Sequence, residues 1–90
     1  MFRYKKSIPL PYHRQGYIYF MSRKYAELTK RQRDRIDGLC AESGGEYAAA
    51  LLEFVTTDNG EVAICMKHHV SDQTLRRCVR RYYLAFPERL

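Results

Sequence analysis

The clearest pattern along the chain lies near its C-terminus. Leu75, Cys78, Val79, Tyr82 and Phe86 recur at i, i+3, i+4, i+7 and i+11, which is one apolar stripe on a helix. Gln73, Arg76, Arg77 and Arg80 recur on the opposite side, with Arg81 at its edge. The same period is present earlier, at Ile36, Leu39 and Cys40, at Tyr47, Leu51, Phe54 and Val55, and at Ile64 and Cys65. Helix-start signals precede each stretch: Thr29 with Gln32, Ser43 with Glu46, Asp58 with Glu61, and Ser71 with Thr74. A side-chain oxygen at such a position can take up a free N–H of the first turn, and the later residue can reach back. The pattern therefore predicts a small, mainly α domain of four helices beginning near residues 30, 44, 59 and 72. Gly44-Gly45 separates the first two, and Pro87 stops the last.

Residues 1–20 differ from the rest. They hold Pro9 and Pro11, four of the eight tyrosines, and no acid. Each proline removes an N–H donor and biases the residue before it to extended backbone, so an extended arm is predicted over 1–20, with a short strand near 17–20. The helical domain then occupies 21–90. A second reading stays open at 52–66, where Asp58-Asn59-Gly60 between two apolar stretches is also a β-hairpin signal. Tyr47-Ala48-Ala49-Ala50-Leu51-Leu52 favours helix instead.

Charge adds a direction. The chain of 90 residues carries a net +6, distributed as +8 over residues 1–35, −5 over 36–70 and +3 over 71–90. Basic ends around an acidic middle suit a polyanion binder, and equally a protein that docks on an acidic partner. The four arginines at 76, 77, 80 and 81 repel one another with no acid between them. A polyanion would relieve that repulsion, whereas a solvated helix face would simply tolerate it.

Residues 61–79, Glu61-Val62-Ala63-Ile64-Cys65-Met66-Lys67-His68-His69-Val70-Ser71-Asp72-Gln73-Thr74-Leu75-Arg76-Arg77-Cys78-Val79, resemble the helix-turn-helix of bacterial and phage DNA-binding proteins. The small residue at the helix crossing corresponds to Cys65, the turn residue to His69, and the following apolar residue and cap to Val70 and Ser71. Leu75 and Cys78 take the inward positions of the second helix. His69 stands where glycine is usual, and Cys78 replaces a branched aliphatic. The resemblance implies a helix-turn-helix at about 59–86 whose second helix enters the major groove of double-stranded DNA. It implies that Asp72, Gln73, Arg76 and Arg77 face base edges, and that Arg80 and Arg81 meet phosphate. Arg3, Lys5, Lys6, Arg14, Arg23 and Lys24 of the basic arm are further candidate contacts with backbone or minor groove.

Other chemistry finds little footing. Cys40, Cys65 and Cys78 form no Cys-x-x-Cys pair, so they are expected to be buried, unpaired and free of metal. There is no glycine-rich phosphate loop and no carboxylate constellation, and no cofactor or catalytic residue is expected. The longest apolar run is far shorter than the roughly 20 residues of a membrane span. With reduced cysteines, that points to a cytoplasmic protein that does not engage a membrane. The expected function is sequence-specific DNA binding, in transcription regulation or as a mobile-element accessory protein. The alternative is a small interaction module, an inhibitor or adaptor, whose basic surface docks on an acidic protein. A homodimer through Tyr83, Leu84 and Phe86 would suit paired reading of an operator.

Overall fold

A computed structural model describes residues 2–90 of the chain. Its helices are α1 (Tyr12–Arg23), α2 (Lys30–Gly44), α3 (Ala48–Thr56), α4 (Glu61–His68) and α5 (Asp72–Ala85), with single 3-10 turns at Tyr25–Glu27 and Gly45–Tyr47. Among the described residues there is no strand, so the hairpin reading at 52–66 is excluded. The four predicted helices are all present.

Local chemistry explains where they start and stop. Thr29 and Gln32 form the reciprocal capping box, with Gln32 N–H donating to Thr29 Oγ1 at 3.2 Å and Thr29 N–H to Gln32 Oε1 at 3.1 Å. Ser71 Oγ accepts from Thr74 N–H at 3.1 Å and caps α5. The other two start signals are not caps. Ser43 lies buried in the last turn of α2, and α3 begins at Ala48, beyond the extra turn that Gly45 opens at φ 55°. Only glycine takes that backbone conformation without steric cost. Gly60, not Asp58, occupies the cap position of α4, and Asp58 pairs with Arg23 instead. At the far end, Phe86 is extended before Pro87, as a pre-proline residue must be, and α5 stops.

The main departure from expectation is α1. The extended arm reaches only to Pro11, and residues 17–20 are helical rather than a strand. Both prolines precede the first turn, where a missing N–H costs nothing. The inward face of α1 is Gln15, Ile18 and Ser22, all buried. Two of these three are polar, which hides the helical period from a reading of hydropathy.

Those polar side chains are satisfied. Gln15 Oε1 accepts from Lys5 N–H at 2.9 Å, while its Nε2 donates to the carbonyls of Lys5 (3.0 Å), Ile8 (3.2 Å) and Leu10 (3.1 Å). One buried amide thus holds the whole N-terminal segment. Ser22 Oγ donates to the Ile18 carbonyl at 2.7 Å, which leaves the Tyr82 hydroxyl to donate to Ser22 Oγ, also at 2.7 Å. Burial accordingly pushes the Tyr82 phenol above its ordinary pKa. The arm is no appendage, since Ile8 and Ile18 belong to the same core as Ile36, Leu51, Ile64 and Leu75.

The inner stripe of α5 is the centre of that core: Leu75, Cys78, Val79, Tyr82 and Phe86 are buried, joined by Tyr83. Cys40 and Cys78 are buried, and burial pushes the Cys40 thiol up to about 12, so it packs as a small apolar group. Cys65, expected to be buried, is only partly covered. All three are free thiols. Tyr83 and Phe86 are each 5% exposed, so of the three residues expected at a dimer contact only Leu84, at 47%, faces solvent.

Polar ties join α3 to α4. Glu53 accepts from Lys67 Nζ at 3.0 Å, His68 Nε2 at 2.9 Å and Asn59 Nδ2 at 2.8 Å. Those hydrogen bonds, that of His68 first, hold the Glu53 carboxyl down at about 2.

Two outcomes follow from these contacts. Gln15→Ala strands the Lys5 N–H and the Leu10 carbonyl, whereas the Lys5 and Ile8 carbonyls keep the Ile8 and Leu10 N–H groups, and it should lower unfolding free energy by about 3 kcal/mol in urea titration. It should also speed hydrogen exchange at the Ile8 and Leu10 amides. Glu53 has a depressed native pKa, so its stabilisation is complete above the unfolded value of about 4.3 and is lost as pH falls toward 2. Glu53→Gln should therefore flatten the acid limb of the stability curve measured between pH 5 and pH 2, relative to the wild type, about as far as this one group contributes.

Candidate nucleic-acid interface

The segment that joins α4 to α5 is three residues long: His69, Val70 and Ser71. His69 adopts left-handed backbone at φ 54° and ψ 47°, the only non-glycine with positive φ among the described residues. Val70 N–H donates to the Cys65 carbonyl at 3.1 Å, closing the end of α4 in the manner of a Schellman turn. Val70 then enters the core between fully buried Ile64 and Leu75, and Ser71 caps α5. This turn fixes the direction in which α5 leaves α4, and so fixes which of its side chains face outward.

Outward-facing positions on α5 include Asp72, Gln73, Arg76, Arg77, Arg80 and Arg81. They are exposed but not equally free. Asp72 Oδ1 accepts from Gln73 N–H at 2.7 Å, so its carboxylate serves the N-terminus of the helix. Arg76 is chelated by Glu61, with Nε at 2.8 Å and Nη2 at 3.2 Å from the two carboxylate oxygens. Arg80 donates to the Ser7 carbonyl through one nitrogen. Arg81 Nε donates to the Ser43 carbonyl at 2.9 Å, and its Nη2 lies 3.5 Å from Cys78 Sγ. A guanidinium carries five N–H donors, so Arg80 and Arg81 each keep donors for an anion. The Gln73 side chain and the Arg77 guanidinium have no hydrogen-bond partner among the described residues. Both are exposed and lie four residues apart, one turn along the same face.

The six candidate residues of the arm divide in the same way. Arg14 is structural: it donates to the carbonyls of Phe86 (2.9 Å), Pro87 (2.7 Å) and Glu88 (3.1 Å), and so clamps the C-terminal segment. Arg23 pairs with Asp58 and lies 4.5 Å from the Tyr19 ring centre. Lys5 is half-buried near Phe54, and burial lowers its pKa against the raising effect of Glu61. Arg3, Lys6 and Lys24 are exposed. Because Arg80 holds Ser7, the next residue, Lys6, is carried close to α5. The basic arm therefore borders the arginine face, with Gln15 fixing its course from below.

A feature that the sequence reading missed is aromatic and exposed. Phe2 packs on Tyr12 (5.3 Å between ring centres), Tyr19 (5.3 Å) and Phe20 (6.2 Å), while Tyr12 and Phe20 remain 66% and 55% exposed. Reading 12–23 as a helix would have found it, since Tyr12, Tyr19 and Phe20 share its outer side.

Among the described residues no group of three or more His, Cys, Asp or Glu is placed to hold a metal, and no helix is long and apolar enough to cross a membrane. Comparison of the chain with known protein families, with curated proteins and with solved structures finds no match.

Glu61 offers a direct check on the availability of Arg76. Glu61→Gln removes the chelating charge and should strengthen duplex binding, by about twofold to tenfold in fluorescence anisotropy at fixed salt. Unchanged affinity on that substitution would mean that Arg76 plays no part in anion contact.

Proposed function

We propose that the chain is a sequence-specific DNA-binding protein that presents α5 to the major groove and works by binding rather than by catalysis. The observation that carries this reading is the pair Gln73 and Arg77, exposed and uncommitted in the first half of α5, directly after a tight capped turn. Glutamine can read adenine through paired hydrogen bonds, and arginine can read the O6/N7 edge of guanine. Arg80 and Arg81 lie one turn beyond the pair and, with Lys6 next to the Ser7 that Arg80 holds, suit phosphate contact, which positions the helix without reading sequence. Arg76 joins the base readers only when it leaves Glu61. The left-handed turn at His69 supports likeness to a helix-turn-helix, as does the burial of Ile64, Val70 and Leu75. A transcription regulator or mobile-element accessory protein is the role this chemistry fits, in a cytoplasm where Cys40, Cys65 and Cys78 stay reduced.

One observation favours a second reading. The exposed aromatic face of Tyr12 and Phe20, packed around the half-buried Phe2 and flanked by Arg3, is what an interaction module would offer to an acidic protein. The two readings separate in one experiment, selection of binding sites from randomised duplexes. The wild type should enrich a defined sequence, and Arg77→Ala or Gln73→Ala should cost about 1–3 kcal/mol and relax preference at one base pair. Arg80→Ala should weaken all duplexes alike and lower the salt slope by about one. Leu75→Ala should instead destabilise the fold, by about 2–5 kcal/mol, because that side chain is fully buried. If the folded wild type enriches no sequence, the interaction-module reading replaces the DNA reading.

A further inference from the structure

The N-terminal segment does not close down on what lies beneath it. A cleft of about 570 Å³ lies between residues 3–5 and the junction of α3 with α4. A smaller one of about 350 Å³ shares Lys5, Phe54 and Glu61 with it and continues under Ser7 and Ile8. The larger cleft falls within the usual size of small-molecule sites, roughly 300–1,000 Å³. Neither Gln73 nor Arg77 lines it.

Its walls combine two kinds of chemistry. Arg3, Lys5 and Arg23 supply positive charge, and Tyr19 and Phe54 supply aromatic rings, which Arg23 approaches to 4.5 Å and Lys5 to 5.9 Å, with the edge of the buried Tyr83 beside them. Arg3 and Lys5 have no carboxylate partner among the described residues. Arg23 gives one terminal nitrogen to Asp58, and its buried Nε has no acceptor among the described residues. Two carboxylates also line the cleft, and both are engaged: Asp58 with Arg23, Glu61 with both donors of Arg76. Asp58 is carried by the α3–α4 connection and Glu61 by the first turn of α4, whereas Arg3 and Lys5 are carried by the arm. An anionic group would therefore be drawn toward the arm. A base with exocyclic N–H donors would find acceptors on the other side.

We propose that this cleft binds a nucleoside monophosphate, with the phosphate held by Arg3, Lys5 and Arg23 and the base laid against Phe54 and Tyr19. A flat aromatic body with a terminal dianion matches the walls, whereas inorganic phosphate would leave the aromatic surface unused. Such a moiety can be a free nucleotide or one nucleotide of a single strand, and the two share this chemistry. Occupancy would fasten the arm from above as Gln15 fastens it from below. The cleft shares Glu61 with the Arg76 pair, but neither Gln73 nor Arg77 lines it, and its occupancy does not rest on the duplex reading.

The test is a titration of the full ¹⁵N-labelled chain with AMP, GMP, CMP and UMP, each to about 10 mM, followed by amide shifts. Adenosine, inorganic phosphate and a single-stranded tetranucleotide are run beside them. At least one monophosphate should shift Lys5, Phe54 and Gly60 saturably, with a Kd of about 1 mM or below. Adenosine and phosphate should bind about tenfold more weakly or worse. Lys5→Met keeps the backbone bonds to Gln15, and Arg3→Ala alters an exposed residue, so both should fold; each should weaken the monophosphate by about tenfold. A tetranucleotide that shifts the same amides at comparable affinity assigns the site to strands, and one that does not assigns it to free nucleotides. Absence of a saturable shift with all four monophosphates overturns the proposal. So does binding that both variants leave unchanged, or phosphate binding as tightly as the nucleotides.

Discussion

Everything in this fold answers to one requirement, the burial of the inner face of α5. Tyr82 is the largest of its fully buried side chains, and Leu75, Cys78, Val79, Tyr83 and Phe86 extend the stripe in both directions. A helix with so large a covered face needs walls all round it. α2 and α3 supply most of them, α4 closes the start of α5, and α1 reaches Tyr82 through Ser22. Once that face is turned inward, helical geometry leaves no choice for the rest, and the arginines at 76, 77, 80 and 81 must be outside. The concentration of charge on one surface is thus a consequence of packing on the other.

How that charge is managed separates structural from functional arginines. Several guanidiniums end on backbone carbonyls that would otherwise lack donors: Arg14 on the C-terminal segment, Arg81 on the end of α2, Arg80 on Ser7. These contacts join distant parts of the chain and give each side chain a reason to be basic that has nothing to do with a ligand. Gln73 and Arg77 have no such reason, which is why they carry the proposed recognition. The buried amide of Gln15 has a comparable organising role for the N-terminal segment. Without it the Lys5 N–H and the Leu10 carbonyl would need other partners.

Much of this was legible in the sequence. The Thr29–Gln32 box, the Ser71 cap and the stripe from Leu75 to Phe86 are local signals, and the helices they announce are in place. The left-handed turn at His69 was legible only through the resemblance of residues 61–79 to a helix-turn-helix, in which glycine is usual at that position. Helix α1 was not legible, because its inward face is carried by Gln15 and Ser22, whose burial depends on hydrogen bonds to Lys5, Ile8, Leu10 and Tyr82. Ser43 and Asp58 have the residue type of a cap, yet tertiary contacts with Arg81 and Arg23 claim those segments instead. The candidate interface was legible as a set of basic residues but not as a hierarchy. Whether an arginine is free depends on carbonyls and carboxylates far along the chain, and no local pattern records them. The inward turn of Tyr83 likewise follows from the width of the covered face.

In the proposed function, the turn-and-helix surface around Gln73 and Arg77 meets duplex DNA. The most direct measurement is the pattern of amide and side-chain shifts when the ¹⁵N-labelled chain is mixed with its best selected duplex. Changes concentrated at His69, Ser71, Gln73 and Arg77, with a second group at Lys6 beside Arg80, are what this account predicts. Changes confined to the aromatic face of Tyr12 and Phe20, with α5 silent, would contradict it.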